Sequence, residues 1–183
     1  MIGTDSKINI GQAFGVAVSY PLYYQLQKND IAAGFIAASC TAGPFTLANP
    51  NLTSACQPST PGQRYSTIAN MAVIGNVDGS LFGGPVGSVV NLVARVITSG
   101  SQSASNIRLL ANPCATGLSQ GKLDPSSPAD STATAIVTEQ STTEGVKVAL
   151  NTATGAGQFA LGVVSMTYDE ATGGEHDARA RLT

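Results

Sequence analysis

Residues 157–183 constrain the fold most strongly, because they carry the two-residue alternation of β-strands. Phe159, Leu161 and Val163 alternate with Ala160 and Gly162, and a polar stretch with two glycines follows at 169–174. Residues 175–183 alternate again, with Glu175, Asp177, Arg179 and Arg181 on one side and His176, Ala178, Ala180 and Leu182 on the other. Successive side chains of a strand point to opposite faces. The sequence therefore predicts a β-hairpin whose last strand has one charged face and one packed face.

Other apolar runs predict further strands and no long helix. The predicted strands span residues 13–19, 30–38, 67–76, 86–98, 107–111, 133–139 and 145–150. The run 86–98 is apolar on both faces, although Asn91 and Arg95 interrupt one of them, which indicates cover from both sides. No helical period persists beyond two turns. We therefore expect a mostly β fold, a compact β-sandwich or barrel-like domain.

The domain organisation follows from the distribution of prolines and polar residues. Residues 1–12 are predicted to be an N-terminal arm, in which Ile8 and Ile10 alternate as in an added edge strand. Residues 13–183 are predicted to form a single β-rich domain. It carries two long proline-containing loops, at 39–66 and 112–129. Long loops in compact domains usually serve binding or assembly.

Charge is scarce in the first two thirds of the chain. Only 11% of the residues are charged, where a soluble domain has about 25%. Between residues 31 and 121 the charged residues are Arg64, Asp78, Arg95 and Arg108. One interpretation is a surface covered by partners, since interface cores are depleted in charge. The other is a surface made of Ser, Thr and Asn, as in many secreted β-proteins.

The charge balance and the N-terminus limit the partners and the location. The net charge is −2 and no basic patch is present, so we expect no nucleic-acid partner. The apolar runs are too short to span a bilayer. The N-terminus lacks the features of a signal peptide, so we expect a protein made in a cytoplasm. The odd number of cysteines favours reduced thiols, although Cys40 and Cys56 bracket a proline-rich loop and could pair in an oxidising setting.

The sequence patterns that suggest catalysis or cofactor binding lack the surrounding secondary structure that this chemistry requires. His176, the one histidine, lies beside Asp177, but neighbours in a strand point to opposite faces. Residues 155–160 (GAGQFA) match the G-x-G-x-x-A pattern of dinucleotide-binding proteins. That motif requires a helix after the glycines, yet a strand pattern follows here. The N-glycosylation sequence at 51–53 is expected to stay unmodified without a signal peptide. We therefore expect a protein that is not an enzyme and has no cofactor or metal.

Two stretches are similar to the capsid decoration, or cement, proteins of tailed bacteriophages. One is residues 31–36 (IAAGFI), and the other is the ending, from LGVV at 161–164 through GGE at 173–175 to ARL at 180–182. The resemblance implies a non-enzymatic virion protein, often a trimer, that clamps major capsid subunits on the capsid exterior. The two long loops exceed what a minimal cement domain needs.

The expected function is thus to stabilise a phage capsid by bridging major capsid subunits. The alternatives are a β-sandwich binding module, such as an adhesin or carbohydrate binder, and another virion structural subunit. The aromatic cluster at 20–24 is interpreted as core or sheet face, with a contact patch as the alternative. The candidate interface residues are Ile8, Ile10, Tyr20, Tyr23, Tyr24, Arg95, Arg179 and Arg181.

Overall fold

The computed structural model describes residues 13–60, 78–96, 98–108, 134–166 and 179–182. Within them, strands and helices alternate along the chain. In chain order the elements are β1 (Ala13–Val18), α1 (Tyr20–Ala32), β2 (Ser59–Thr60), β3 (Val90–Arg95), α2 (Gly100–Arg108), β4 (Ala135–Gln140), α3 (Thr143–Gly155), β5 (Phe159–Met166) and β6 (Arg179–Leu182). Short 3-10 turns lie at Ala38–Cys40, Ser54–Cys56 and Gly79–Phe82.

The strands form one open sheet with the order β2-β6-β1-β5-β3-β4. Strand β3 pairs in parallel with β4 on one side and with β5 on the other, while β1 pairs antiparallel with β5. The short strands β6 and β2 extend the sheet beyond β1. Helix α3 connects β4 to β5, which are parallel and separated by β3, as in a βαβ crossover.

Both faces of the sheet are covered by helices. On one face, α1 contributes Leu22, Tyr23 and Leu26 to a core that includes Val16, Leu92 and Leu161. On the other face, α3 contributes Val146, Leu150 and Ala153 to a second core with Ala17, Val93 and Val164. Adjacent residues such as Val16 and Ala17 fall in different cores because strand side chains alternate. Burial on both faces explains why β3 is apolar on both sides, as the sequence indicated.

The packing of α3 depends on a glycine in β5. A Cβ built on Gly162 would lie 2.7 Å from the Val93 carbonyl oxygen and 2.9 Å from Cγ1 of Val146. Gly162 pairs with Val93 across the β5–β3 ladder, and Val146 is fully buried on α3. Only a residue without a side chain allows the helix and the neighbouring strand to approach this closely.

The prediction of a mostly β sandwich or barrel is wrong, because the chain is a mixed α/β protein with an open sheet. Residues 30–38, predicted as a strand, hold the end of α1 and the turns after it, and residues 145–150 lie inside α3. Residues 107 and 108, predicted to begin a strand, end α2. The alternative function, a β-sandwich binding module, assumed a sandwich fold that the chain does not have.

The predicted closing hairpin is also wrong in its pairing. Strands β5 and β6 both form, but β1 lies between them and pairs antiparallel with each. Strand β6 has β2 as its second neighbour, so it lies within the sheet and not at its edge. The predicted arm, the strand at 67–76, the loop at 112–129 and His176 lie outside the described residues.

Candidate functional site: two loops at the end of helix α1

Helix α1 begins at a proline-containing first turn and ends in a left-handed glycine. Ser19 is the N-cap, and Pro21 occupies the first turn, where its missing N–H removes no helical bond. At the other end, the backbone N–H groups of Gly34 and Phe35 donate to the carbonyls of Ile31 and Asp30. Gly34 has φ 77°, a conformation that favours glycine. The chain therefore leaves the helix in a defined direction, with Phe35 75% exposed.

A disulfide closes the loop that follows α1. Cys40 and Cys56 are bonded, with their Cα atoms 5.4 Å apart, and both are buried at 1% and 6% exposure. We call residues 40–56 the cystine loop. Its tip is a tight turn in which Thr46 and Asn49 exchange backbone hydrogen bonds of 3.0 and 3.1 Å, leaving Leu47 half exposed. The preference for reduced thiols is wrong for this pair, while Cys114 lies outside the described residues.

The buried side chain of Gln27 fastens the cystine loop to α1. Its Nε2 donates to the carbonyl oxygens of Asn51 and Cys56, both at 2.7 Å. Gln27 is 0% exposed, and its Oε1 has no hydrogen-bond partner among the described residues. Two carbonyl acceptors require the amide nitrogen at this position, which fixes the orientation of the amide. An unpaired buried oxygen is costly, so the two donated bonds must compensate for it.

Asp30 adds a second attachment one turn further along α1. One of its carboxylate oxygens accepts from the backbone N–H of Ser59 at 2.8 Å and from the Ser59 hydroxyl at 3.4 Å. Ser59 begins β2, just beyond the cystine loop. Helix α1 thus holds the C-terminal part of the loop, at Asn51 and Cys56, and the residue just beyond it, Ser59.

A second loop, residues 78–88, is also held by the last turns of α1. Asn29 Nδ2 donates to the Phe82 carbonyl at 2.7 Å. Within the loop, the Asp78 carboxylate accepts from the Ser80 hydroxyl and from the backbone N–H groups of Gly87 and Ser80. These hydrogen bonds hold the pKa of Asp78 below its ordinary value. The loop ends in an exposed apolar tip, with Val86 87% exposed.

Each of the two loops is ordered, held separately by α1, and nearly free of charge, although the exposed Lys28 lies on α1 between the residues that hold them. No charged residue lies between Asp30 and Arg64, and Asp78 is the one charge in the second loop. The exposed apolar side chains on these loops include Phe35 just before the cystine loop, Leu47 at its tip and Val86. Such loops can bind a partner without removing ions from water.

Arg95 organises a different region, where β3 ends. Its guanidinium donates to Thr143 Oγ1 at 2.9 Å and to the Ser141 carbonyl at 3.0 Å, and it reaches Ser101 Oγ at 3.5 Å. Its backbone N–H donates to Gln102 Oε1 at 2.8 Å. The carboxyl ends of parallel strands are common ligand sites, and helix N-termini favour anions. Here the guanidinium bonds neutral oxygens that tie the starts of α2 and α3 to the sheet, so we interpret Arg95 as structural.

Of the sequence-predicted interface residues, those whose side chains the structure describes are the three tyrosines, which lie on α1, and Arg95, which ends β3. Tyr23 is 2% exposed and belongs to the core, whereas Tyr20 and Tyr24 are partly buried on α1. Burial raises the pKa of Tyr23 to about 12. Arg179 and Arg181 lie in β6, where only the backbone is described, and Ile8 and Ile10 lie outside the described residues.

Gln27, Asn29 and Asp30 were not identified from the sequence. The signal that points to Gln27 and Asp30 is helical spacing, because Gln27 follows Tyr23 by four residues and Asp30 follows Leu26 by four, all on the buried side of α1. A polar residue on the buried face of a helix needs a hydrogen-bond partner. With residues 20–24 interpreted as core or sheet face and residues 30–38 as a strand, this signal could not be used.

The searches for other kinds of site gave no candidate in the described parts of the chain. Those parts hold no group of three or more His, Cys, Asp or Glu side chains arranged to bind a metal. None of the helices described is both long and apolar enough to cross a membrane. The glycines at 155 and 157 lead into β5, so no helix follows the fingerprint-like sequence.

No protein-family model, no curated protein sequence and no solved structure matches this chain.

Proposed function

We propose that the chain is a structural protein that binds the outer surface of a phage capsid and stabilises the shell by bridging major capsid subunits. The observation that supports this proposal best is that the two loops held by the last turns of α1 are ordered and nearly uncharged. Residues 31–36, one of the two stretches similar to cement proteins, form the end of this helix and the turn that presents Phe35. The proposed role involves no catalysis.

The physical argument rests on the cost of association. A partner that covers the two loops removes exposed apolar area from water, which favours binding by about 25 cal/mol per Å². It desolvates few charges, because one carboxylate, Asp78, lies in the two loops. The cystine loop is closed by a disulfide and held by Gln27, so little loop entropy is lost on binding. These features suit a modest interface repeated many times on a symmetric shell, where avidity multiplies weak contacts.

A homotrimer at the junctions of capsid subunits is part of the proposal. A trimer would present three copies of these two loops around one axis, so that each copy engages one capsid subunit. Light scattering of the purified protein measures this directly. A mass of three chains agrees with the trimer, and a monomer at all concentrations excludes it.

The function is tested on heads of the virus that encodes the chain. We expect the protein to sediment with purified heads at a fixed ratio to the major capsid protein. We also expect it to leave the heads on mild heating before the shell disassembles. Heads that lack the protein, or that neither bind it nor gain stability when it is added, would contradict the proposal.

Matched variants locate the interface. Heads stripped of the protein are incubated with the double variant Phe35→Ser/Leu47→Ser or with the control Val148→Ser. Val148 is 56% exposed on α3, so both variants remove exposed apolar side chains. We expect the double variant to lose occupancy by at least about tenfold, which corresponds to 1.4 kcal/mol, and the control to bind as the wild type does. Equal occupancy of both variants would place the interface elsewhere.

A further inference from the structure

The cystine loop has few attachments apart from its disulfide. Among the described residues, its hydrogen bonds to α1 are the two donated by Gln27 to Asn51 and Cys56, and Asp30 holds Ser59 just beyond it. Cys40 and Cys56 are buried, as are Pro50 and Asn51, and Leu52 packs against the core beneath α1, whereas most of the residues at 41–49 are exposed. The exposed part of the loop, residues 41–49, therefore has the disulfide as its main restraint.

We propose that the Cys40–Cys56 disulfide is a redox lock for the proposed capsid-binding surface. The inference rests on the proposed function for its biological meaning, but the lock itself is a property of the free protein. In the oxidised chain the cystine loop is held against α1. In the dithiol form the sheet and its helices stay folded, while residues 40–56 open and the surface loses its defined shape.

The chemistry is thiol–disulfide exchange with a second disulfide as oxidant. The two cysteine thiols lose two protons and two electrons as the S–S bond forms, and a small-molecule or protein disulfide takes them up and becomes two thiols. In the dithiol form Asp30 still holds Ser59 and the end of α1 still holds Phe35, so the open loop can return its two thiols to contact, and their Cα atoms are 5.4 Å apart once the bond has formed. A chain made in a reducing compartment is thus locked only after it meets an oxidant.

Burial makes the lock persistent once it is formed. Exchange requires that an attacking thiolate reach one of the sulfurs, and the two half-cystines are 1% and 6% exposed. A reductant must therefore wait for local opening of the loop, which the disulfide itself restricts. We expect the folded, oxidised protein to resist reduction until a denaturant or heat opens the loop.

Hydrogen exchange of the free protein tests the lock without any capsid. The oxidised chain is compared with the Cys40→Ser/Cys56→Ser variant, both carrying Cys114→Ser to prevent reshuffling. Closing a loop of about 15 residues restricts opening by roughly a hundredfold, so we expect protection within residues 40–56 to fall by up to that factor. Protection in β3 and β5 is expected to change far less. If the serine variant does not fold, the oxidised chain reduced by a dithiol in mild urea and returned to buffer provides the same comparison.

Two results would overturn the lock. Unchanged protection of residues 40–56 in the reduced chain would show that Gln27 and packing hold the loop without the disulfide. Loss of protection throughout the sheet would show that the disulfide supports the whole fold and not this loop alone.

A binding experiment with the oxidised and reduced chains distinguishes failure of the lock from failure of the proposed function. If the oxidised chain binds stripped heads and the reduced chain binds at least about tenfold more weakly, both proposals are supported. If both forms bind equally, the loop is not the surface that the lock controls, and this inference fails. If neither form binds, the proposed function fails, and hydrogen exchange still decides whether the disulfide orders the loop.

Discussion

Replacing Gly162 with alanine tests the contact between α3 and the sheet. The added Cβ would lie 2.7 Å from the Val93 carbonyl oxygen and 2.9 Å from Cγ1 of Val146. The carbonyl belongs to the backbone of β3, which cannot move without disturbing its pairing with β5. Overpacking of this kind costs about 1–3 kcal/mol, and replacing a strand glycine returns about 0.5–1 kcal/mol. From the middle of the two ranges we expect a net loss of about 1 kcal/mol of unfolding free energy, and at most about 2.5 kcal/mol.

Urea unfolding followed by circular dichroism measures the loss, with the disulfide kept oxidised in every sample. The matched control is Gly155→Ala, at the end of α3, where a Cβ meets no atom within 4 Å. The control is expected to be as stable as the wild type or up to about 1 kcal/mol more stable, because alanine favours helix. A Gly162→Ala protein within about 0.5 kcal/mol of the wild type would refute the close approach of α3 and β3.

A double-mutant cycle then identifies the contact responsible. Val146→Ala removes one of the three nearest atoms that the new Cβ would meet, but the Val93 carbonyl oxygen and the Val93 Cβ, 3.1 Å away, remain. We expect the cost of Gly162→Ala to be smaller by about 0.5–1 kcal/mol in the Val146→Ala background. The same cost in both backgrounds would assign the strain to the strand and not to the helix.

Two further predictions concern the core beneath α1. Phe82 is 1% exposed and packs edge-on against Phe159 with ring centroids 6.1 Å apart, so Phe82→Ala should cost about 3–5 kcal/mol in urea unfolding. Leu81→Ala, at a neighbouring side chain 37% exposed, should cost under about 1 kcal/mol, and similar losses would contradict this burial. Burial raises the pKa of Tyr23 to about 12 from 10.0. Above pH 10 the unfolded chain therefore releases a proton that the folded chain keeps. The free energy of unfolding should consequently fall as the pH rises to 12. Tyr23→Phe should lack this part of the pH dependence, and equal slopes for the two proteins would refute it.

The strands could be predicted from the sequence because alternation is a local signal. The predicted run 13–19 contains β1, 86–98 contains β3, and β5 lies within the run at 157–168. The expected cover on both faces of the run 86–98 is confirmed for β3, since Val90 and Leu92 lie in one core and Val93 in the other. The pairing of strands was not predictable in the same way. Whether β6 pairs with β5 or with β1 depends on contacts between residues far apart in sequence, which no local pattern contains.

Helix α3 was missed because its valines imitate a strand. Val146, Val148 and Leu150 alternate, yet Val148 is 56% exposed while the other two are buried. The helical spacing was present as well, since Ala153 follows Leu150 by three residues and completes the buried stripe. The start signal was also present, because Thr142 is the N-cap and its hydroxyl accepts from the backbone N–H of Gly145 at 2.9 Å. Over the six residues 145–150 the two-residue period of a strand and the 3.6-residue period of a helix fit equally well. The residues after 150 distinguish the helix from the strand.

Helix α1 was missed because its proline was taken as a strand breaker. Pro21 is excluded from the centre of a sheet, but it is well suited to the first turn of a helix. The pairing of Cys40 with Cys56 was left open for a related reason. The odd number of cysteines does not indicate which two lie close together. Here Cys40 and Cys56 meet where the loop between them returns to α1, at the carbonyl group that Gln27 bonds.

The corrected fold moves the proposed interface from the sheet to the loops. Strand β6 is paired on both sides by β1 and β2, so it offers no open edge to a partner, and its predicted charged face stays a prediction. The uncharged segment after Asp30, expected to include a strand, is instead a fixed surface at the end of α1. Gln27 links the two parts, because its helix packs in the core and its amide holds the cystine loop. A partner bound to this loop is therefore connected to the sheet through Gln27 and α1.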